Sequence, residues 1–235
     1  MIRKKLLEQI RCHAAAEYPR ECCGLVVQFG RRQAYVPCRN VSPEPGDRFE
    51  LHPEDYAAAE DAGEILAVVH SHPDATSWPS AWDRASCDHS GLPWYILSWP
   101  EGDLRLLEPQ AGPKPLKGRP YVYGLQDCYS IVQAWYRQER GIELGRVDTV
   151  DGWWKSGDQD VLLDNYRAMG FVEIDQPEHG ALLLMQVSAP VTNHCAVYLD
   201  GGEMLHHMPG ALSACTPYGG YWQERTRAIL RYVGE

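Results

Sequence analysis

The 235-residue sequence has no Cys-x-x-Cys pair, no internal repeat, no low-complexity tract and no long apolar run. The missing Cys-x-x-Cys excludes a zinc ribbon. The longest strongly apolar runs, such as Ile65-Leu66-Ala67-Val68-Val69, fall far short of the ~20 residues that a bilayer-crossing helix needs. A secretory leader is lacking as well. Met1-Ile2-Arg3-Lys4-Lys5 imitates its basic start, but Glu8, Gln9, Arg11 and His13 interrupt the apolar stretch that should follow. Synthesis in the cytoplasm as a soluble protein is the expectation. Nor is there a basic field. The net charge of −10 is spread as −6 over residues 1–108, +3 over 109–119 and −7 over 120–235, which argues against a nucleic-acid partner.

What is present is the composition of folded protein, with 44% apolar residues. The length suits two domains of roughly 100–130 residues each. Residues 109–120 hold four prolines and two glycines beside three basic side chains, so 109–119 reads as a linker between domains over 1–108 and 120–235. The eight cysteines (12, 22, 23, 38, 87, 128, 195 and 215) read as reduced thiols, most of them small core residues.

In the first domain, Ile2, Leu6, Ile10 and Ala14 form one stripe of a helix over 2–17, stopped by Pro19. Leu25–Phe29 and Gln33–Val36 flank a Gly30-Arg31-Arg32 turn and predict a hairpin. Pro53 opens a short helix over 53–62 that Gly63 ends. Glu64–Val69 reads as a buried strand delivering His70 and His72 at its end. Ser80 caps a helix running to about His89, before strands at 93–99 and 103–108. In the second domain a helix starts near Cys128, with Ile131, Val132, Trp135 and Tyr136 as its apolar face and Gly141 as its end. A second helix is expected over 159–169, then strands at 181–187, 194–199, 203–207 and 227–233. Helices first and strands afterwards point to an α+β domain with an antiparallel sheet.

Two stretches carry chemistry. The i, i+2 pair His70 and His72 on an extended segment points both rings to one side, and Asp83 falls in the first turn of the helix capped by Ser80. Two histidines and one carboxylate suit a catalytic zinc, Zn2+, with an open position for a water whose pKa falls to about 7. Glu21, at the mouth of a strand able to pair beside His70, is the candidate base, and Ser80 can donate to a developing oxyanion or serve simply as an N-cap. This pattern, Glu21, His70-Ser71-His72, seven residues, Ser80, two residues, Asp83, resembles the JAMM (MPN-type) metalloproteases over 1–108. The resemblance implies a mixed α/β sheet flanked by helices, metal ligands His70, His72 and Asp83, Glu21 as general acid/base, and Ser80 as support for the tetrahedral intermediate.

The second stretch is Asp127-Cys128 at a helix start, where unpaired amides favour a thiolate. A histidine partner is needed, and His194 or the His206-His207 pair offers one. A two-residue turn at Gly201-Gly202 would put His207 on the His194 face; a three-residue turn from Asp200 would put His206 there. Residues 121–235 resemble the NlpC/P60 cysteine peptidases, papain-like α+β domains that cut bacterial cell-wall peptides. The resemblance implies Cys128 as nucleophile, His194 as base, His206 as third polar residue with His207 second, and Tyr123 as the nearest match to a tyrosine shaping the oxyanion site.

Together the two domains resemble the tail tip assembly proteins of lambda-like phages with long, non-contractile tails. That resemblance implies peptidoglycan stem or cross-bridge peptides as substrate and other tail tip proteins as partners. It implies a place at the virion tail tip, with action in the periplasm or cell wall during entry. The alternative is a non-catalytic assembly factor using both folds as binding modules.

Overall fold

The computed structural model describes residues 2–147 and 149–234, which divide into two compact units, Met1–Ala111 and Gly112–Glu235. The division falls inside the Pro/Gly-rich stretch. Its later part is tied to the second unit: buried Ser213 donates to the Leu116 carbonyl and accepts from the Arg119 amide, while the Gly118 amide bonds the Ser213 carbonyl. No helix among the described residues is long and apolar enough to cross a membrane.

The first unit runs α1 (Lys4–Glu17), β1 (Cys23–Phe29), β2 (Arg32–Cys38), α2 (Pro53–Ala62), β3 (Glu64–Pro73), α3 (Ala81–Ser90), β4 (Trp94–Trp99) and β5 (Leu104–Leu107). The strands form one mixed sheet in the order β2-β1-β3-β4-β5, antiparallel except for the β3/β4 pair. Period-two alternation gives the sheet two apolar faces. Val26, Ala67, Val69 and Leu97 pack under the Leu6, Ile10 and Ala14 stripe of α1. Cys23, Leu25, Val27 and Val68 face the opposite way, with Ala59 of α2 and Cys87 of α3. His70 and His72 share the parity of Val68 and therefore lie on the α2/α3 face.

Two local expectations are refined. The predicted strand extends through His72, so both histidines sit within β3 and are held by its ladder to β4. Gly63 ends α2 as expected, but in extended rather than left-handed backbone (φ 176°). Its requirement is space: an added Cβ would drive into the Gln28 carbonyl oxygen and the Val27 side chain of β1.

The second unit runs α4 (Cys128–Trp135), α5 (Val161–Asn165), β6 (Phe171–Glu173), β7 (Leu182–Met185), β8 (His194–Leu199), β9 (Glu203–His206), β10 (Ala214–Pro217), α6 (Tyr221–Arg225) and β11 (Thr226–Tyr232). Its sheet, β10-β9-β8-β7-β11-β6, is antiparallel throughout. Helix α4 continues as one wider turn over Tyr136–Arg140 to the left-handed Gly141. Its Ile131, Val132 and Trp135 bury against Leu182, Leu184, Cys195, Val197 and Leu205 of the sheet. The helix expected over 159–169 is only five residues long. The Asn165 side-chain amide takes the Val161 carbonyl, and the chain turns through Gly170 to place Phe171 in β6. Strands β6 and β10 and helix α6 were not expected from the sequence.

Gly63→Ala is expected to cost about 1–3 kcal/mol through overpacking against a backbone atom that cannot move aside. A fall in the urea midpoint at unchanged m-value is the measurement; an unchanged midpoint would contradict the packing argument.

Candidate active sites

In the first unit, strand register builds the site. Cys23 pairs with His70, and the next rung is closed by the Ser71 amide on the Cys22 carbonyl and the Cys22 amide on Ser71 Oγ (3.1 and 2.9 Å). One residue further, Glu21 stands opposite His72 on the same face. Helix α3 supplies the other half through a capping box. Ser80 Oγ accepts from the Asp83 amide (3.1 Å), and Asp83 Oδ2 accepts from the Ser80 amide (2.7 Å) and hydroxyl (2.8 Å). The cap thereby aims a buried carboxylate at the two rings.

The resulting cluster is tight. His70 Nε2 lies 3.0 Å from His72 Nε2 and 3.2 Å from Asp83 Oδ1, and His72 Nε2 lies 3.3 Å from Asp83 Oδ2. One donor atom from each of the three falls within 4.8 Å of the others. The Thr76 carbonyl holds His72 Nδ1 at 2.8 Å, which fixes the ring proton there and leaves Nε2 as a bare lone pair. Phe49 stacks on His70 at 4.6 Å, with Trp94 edge-on at 5.5 Å. Two imidazole nitrogens and a carboxylate oxygen converging on one point fit a divalent zinc-type ion.

Electrostatics here follow burial and pairing. Desolvation lowers the His70 pKa despite Asp83. For His72 burial opposes protonation, but Asp83 and the Thr76 carbonyl outweigh it and the pKa rises. Asp83 is likewise desolvated, yet its hydrogen bonds to both rings hold it far below the carboxylate range. Glu21, only 4% exposed, is pushed up to about 8, chiefly by desolvation against the opposing pull of His72. All of this opens on a cleft of about 590 Å³ lined by Glu21, Arg48, His72, Ser80 and Trp82, among others. Ser80's single hydroxyl proton is engaged by Asp83, so donation to an oxyanion would require it to rotate away.

In the second unit, Asp127 caps α4. Its Oδ1 accepts from the Ser130 amide (2.8 Å) and its Oδ2 from the Gly124 amide (2.9 Å) and Arg146 Nη2 (2.6 Å). Arg146 also donates to Ser130 Oγ at 3.0 Å. The carboxylate beside the thiol is thus neutralised; Arg146 holds its pKa down against burial. Cys128 follows as the first helical residue, partly exposed. Its thiol is pushed well below the ordinary range, chiefly through its interaction with the Cys195 thiol and then by His194, against the opposing effect of burial.

The β8/β9 turn has three residues, Asp200–Gly202, because Leu199 pairs with Glu203. That parity sets His206 beside His194, with His194 Nε2 and His206 Nδ1 3.0 Å apart. Thr216 Oγ1 of β10 lies 3.2 Å from His206 Nε2, and Trp222 of α6 packs edge-on to the His206 ring at 4.8 Å. His207 instead meets Tyr121, with centroids 5.1 Å apart. Burial lowers the His206 pKa to about 4, so it faces His194 as a neutral ring.

Tyr123 is committed elsewhere, its hydroxyl accepting from or donating to Thr149 (2.5 Å) and donating to the Val150 carbonyl (3.1 Å). Tyr121 feels the thiol electrostatically: burial raises its phenol, and the Cys128 charge adds to the rise. Both tyrosines, Cys128, Arg146, Trp153 and Trp154 line an open cleft of about 550 Å³. Sequence reading missed Arg146, Thr216 and Tyr121. Only Tyr121 left a signal, as an aromatic seven residues before the cysteine.

Comparison with known proteins now bears on these clusters. Residues 3–108 match the family model described as prokaryotic homologs of the JAB domain, and residues 118–231 match the NlpC/P60 family. Tail tip assembly protein K of Escherichia phage N15 is 52% identical over 233 residues, covering 98% of this chain and 96% of that protein. The chain belongs to the tail tip assembly protein K family. The family's lambda member is 37% identical over 184 residues, 77% of this chain and 89% of that protein. The desampylase of Haloferax volcanii is 33% identical over 110 residues, 43% of this chain and 78% of that protein. In this member of the family a JAB-like mixed sheet precedes an NlpC/P60-like domain with an antiparallel sheet.

Alkylation of Cys128 by iodoacetamide, read by peptide mass, is expected to stay fast at pH values well below the ordinary thiol range and to slow only in more acidic solution, as the thiolate is protonated. A half-point near the ordinary 9.0 would contradict the activated thiol.

Proposed function

We propose that this chain is a tail tip protein whose second unit hydrolyses peptidoglycan stem or cross-bridge peptides and whose first unit is a zinc metallopeptidase used in tail assembly. The observation that supports the first part most directly is the Cys128 thiol at the start of α4, whose acidity is raised by the neighbouring His194, itself bonded to His206. One proton arrangement serves all three polar groups. His206 donates from Nε2 to Thr216 and accepts at Nδ1 from His194 Nε2–H, which leaves His194 Nδ1 free as the base. His194 Nδ1 takes the Cys128 proton, and the thiolate attacks the scissile carbonyl. The imidazolium returns that proton to the leaving amine as the C–N bond breaks. Water, deprotonated by the same histidine, then releases the acyl group and restores the thiol. Tyr121 is the group we assign to the developing oxyanion, in place of Tyr123.

In the first unit, His70, His72 and Asp83 would hold a zinc ion, which supplies Lewis acidity there. Glu21, buried and raised in pKa, accepts and returns protons across the same cleft. Ser80 serves Asp83 first, as cap and hydrogen-bond donor. The partners are other tail tip proteins, in keeping with the name of the phage relatives. The site of action is the cell wall and periplasm during entry.

Mass spectrometry of muropeptides after incubation with the protein is expected to show peptide cleavage that Cys128→Ala abolishes and Tyr121→Phe slows by about 100- to 1000-fold, as for loss of one oxyanion donor. Equal product from wild type and Cys128→Ala, or none from either, would sink the cell-wall reading. Independently, metal analysis should find near one zinc per wild-type chain and almost none in His70→Ala/His72→Ala; equal metal in both would refute the ligand assignment.

A further inference from the structure

The thiol nearest to Cys128 comes from the fold's own core. Strand β8 alternates His194, Cys195, Ala196 and Val197; Cys195 and Val197 point into the cluster beneath α4, and Cys128 packs against that same cluster. Cys195 has no solvent exposure, whereas Cys128 is partly exposed and lines the open cleft. Both thiols therefore meet at one cluster, and each shifts the acidity of the other.

The geometry points to a peroxide-responsive modification site in which Cys195 captures the oxidised form of Cys128 as an intramolecular disulfide. A peroxide reaches Cys128 through the cleft but not Cys195. The Cys128 thiolate attacks the peroxide, an S–O bond forms, the O–O bond breaks, and the departing oxygen leaves as hydroxide. The resulting sulfenic acid meets the Cys195 thiol. The S–S bond forms, the S–O bond breaks, and the hydroxyl leaves as water with the Cys195 proton. The pair has lost two electrons and the peroxide has gained them. A lone exposed thiolate would instead proceed irreversibly to sulfinic and sulfonic acids. The buried partner makes the oxidation reversible by added thiol, so the nucleophile survives exposure to oxidants outside a reducing cytoplasm.

This inference rests on Cys128 being the reactive thiolate, and its readout is mass rather than peptidase activity, so the two readings fail separately. The full chain is treated with hydrogen peroxide and digested without reduction. The expected product is a Cys128–Cys195 linked peptide about 2 Da lighter than the sum of its parts, which dithiothreitol returns to two free thiols. In Cys195→Val, irreversible loss of Cys128 alkylation should be at least about tenfold faster, with gains of about 32 and 48 Da at Cys128. The wild-type peptide map needs no variant and stands even if Cys195→Val fails to fold. Sulfinic Cys128 without the linked peptide, linkage of Cys128 to another cysteine such as Cys215, or a Cys128 thiol unchanged by peroxide would each overturn the proposal.

Discussion

A slip of one residue between β1 and β3 would dismantle the first cluster without changing a single side chain. Strand side chains alternate with a period of two, so the Cys23–His70 rung is what carries Glu21 onto the face of His70 and His72. The apolar halves of the same strands lock that register, because Val26 and Val69 must meet α1 while Leu25 and Val68 meet the other layer. The polar site is thus specified by the hydrophobic pattern around it. Asp83 arrives from outside the sheet, and its position depends on the helix cap rather than on any strand.

The second cluster divides the work differently. Its thiol is stabilised by what lies around the start of one helix, and the carboxylate that caps this helix would oppose the effect if left unpaired. Arg146 eases the conflict by pairing with Asp127, whose charge still works against the thiolate. His194 and His206 are brought together by strand pairing, as in the first cluster, and Thr216 continues the hydrogen-bonded chain. A buried, fully bonded chain of this kind fixes ring orientation and tautomer together.

Much of this was legible in the sequence wherever the cause is local. The α1 stripe, the Ser80-x-x-Asp83 box, the Pro53 start and the i, i+2 histidines all follow from side chains a few residues apart. The sequence also framed the His206 or His207 choice correctly as a matter of turn length, although only strand pairing resolves it. What escaped was non-local. Arg146 lies 19 residues from the carboxylate it neutralises, and Thr216 stands on a strand whose four residues, Ala-Cys-Thr-Pro, carry no apolar alternation. Tyr123 looked like the functional tyrosine by its distance from Cys128, but Thr149 and Val150 engage its hydroxyl. Helix α5 was overextended because an apolar period does not reveal that the Asn165 side chain turns back to donate to the Val161 carbonyl.

The tip of a hairpin is usually where a chain can gain or lose a residue at little cost, since nothing packs there. In the hairpin of β8 and β9 that freedom is gone. Asp200, Gly201 and Gly202 lie outside the lining of the Cys128 cleft, and both glycines adopt positive φ in open space. Yet their number acts as an odd-or-even selector for which of two adjacent histidines faces His194. Inserting or deleting one residue at this tip would present His207 to His194 in place of His206, an exchange that no substitution at the tip can make.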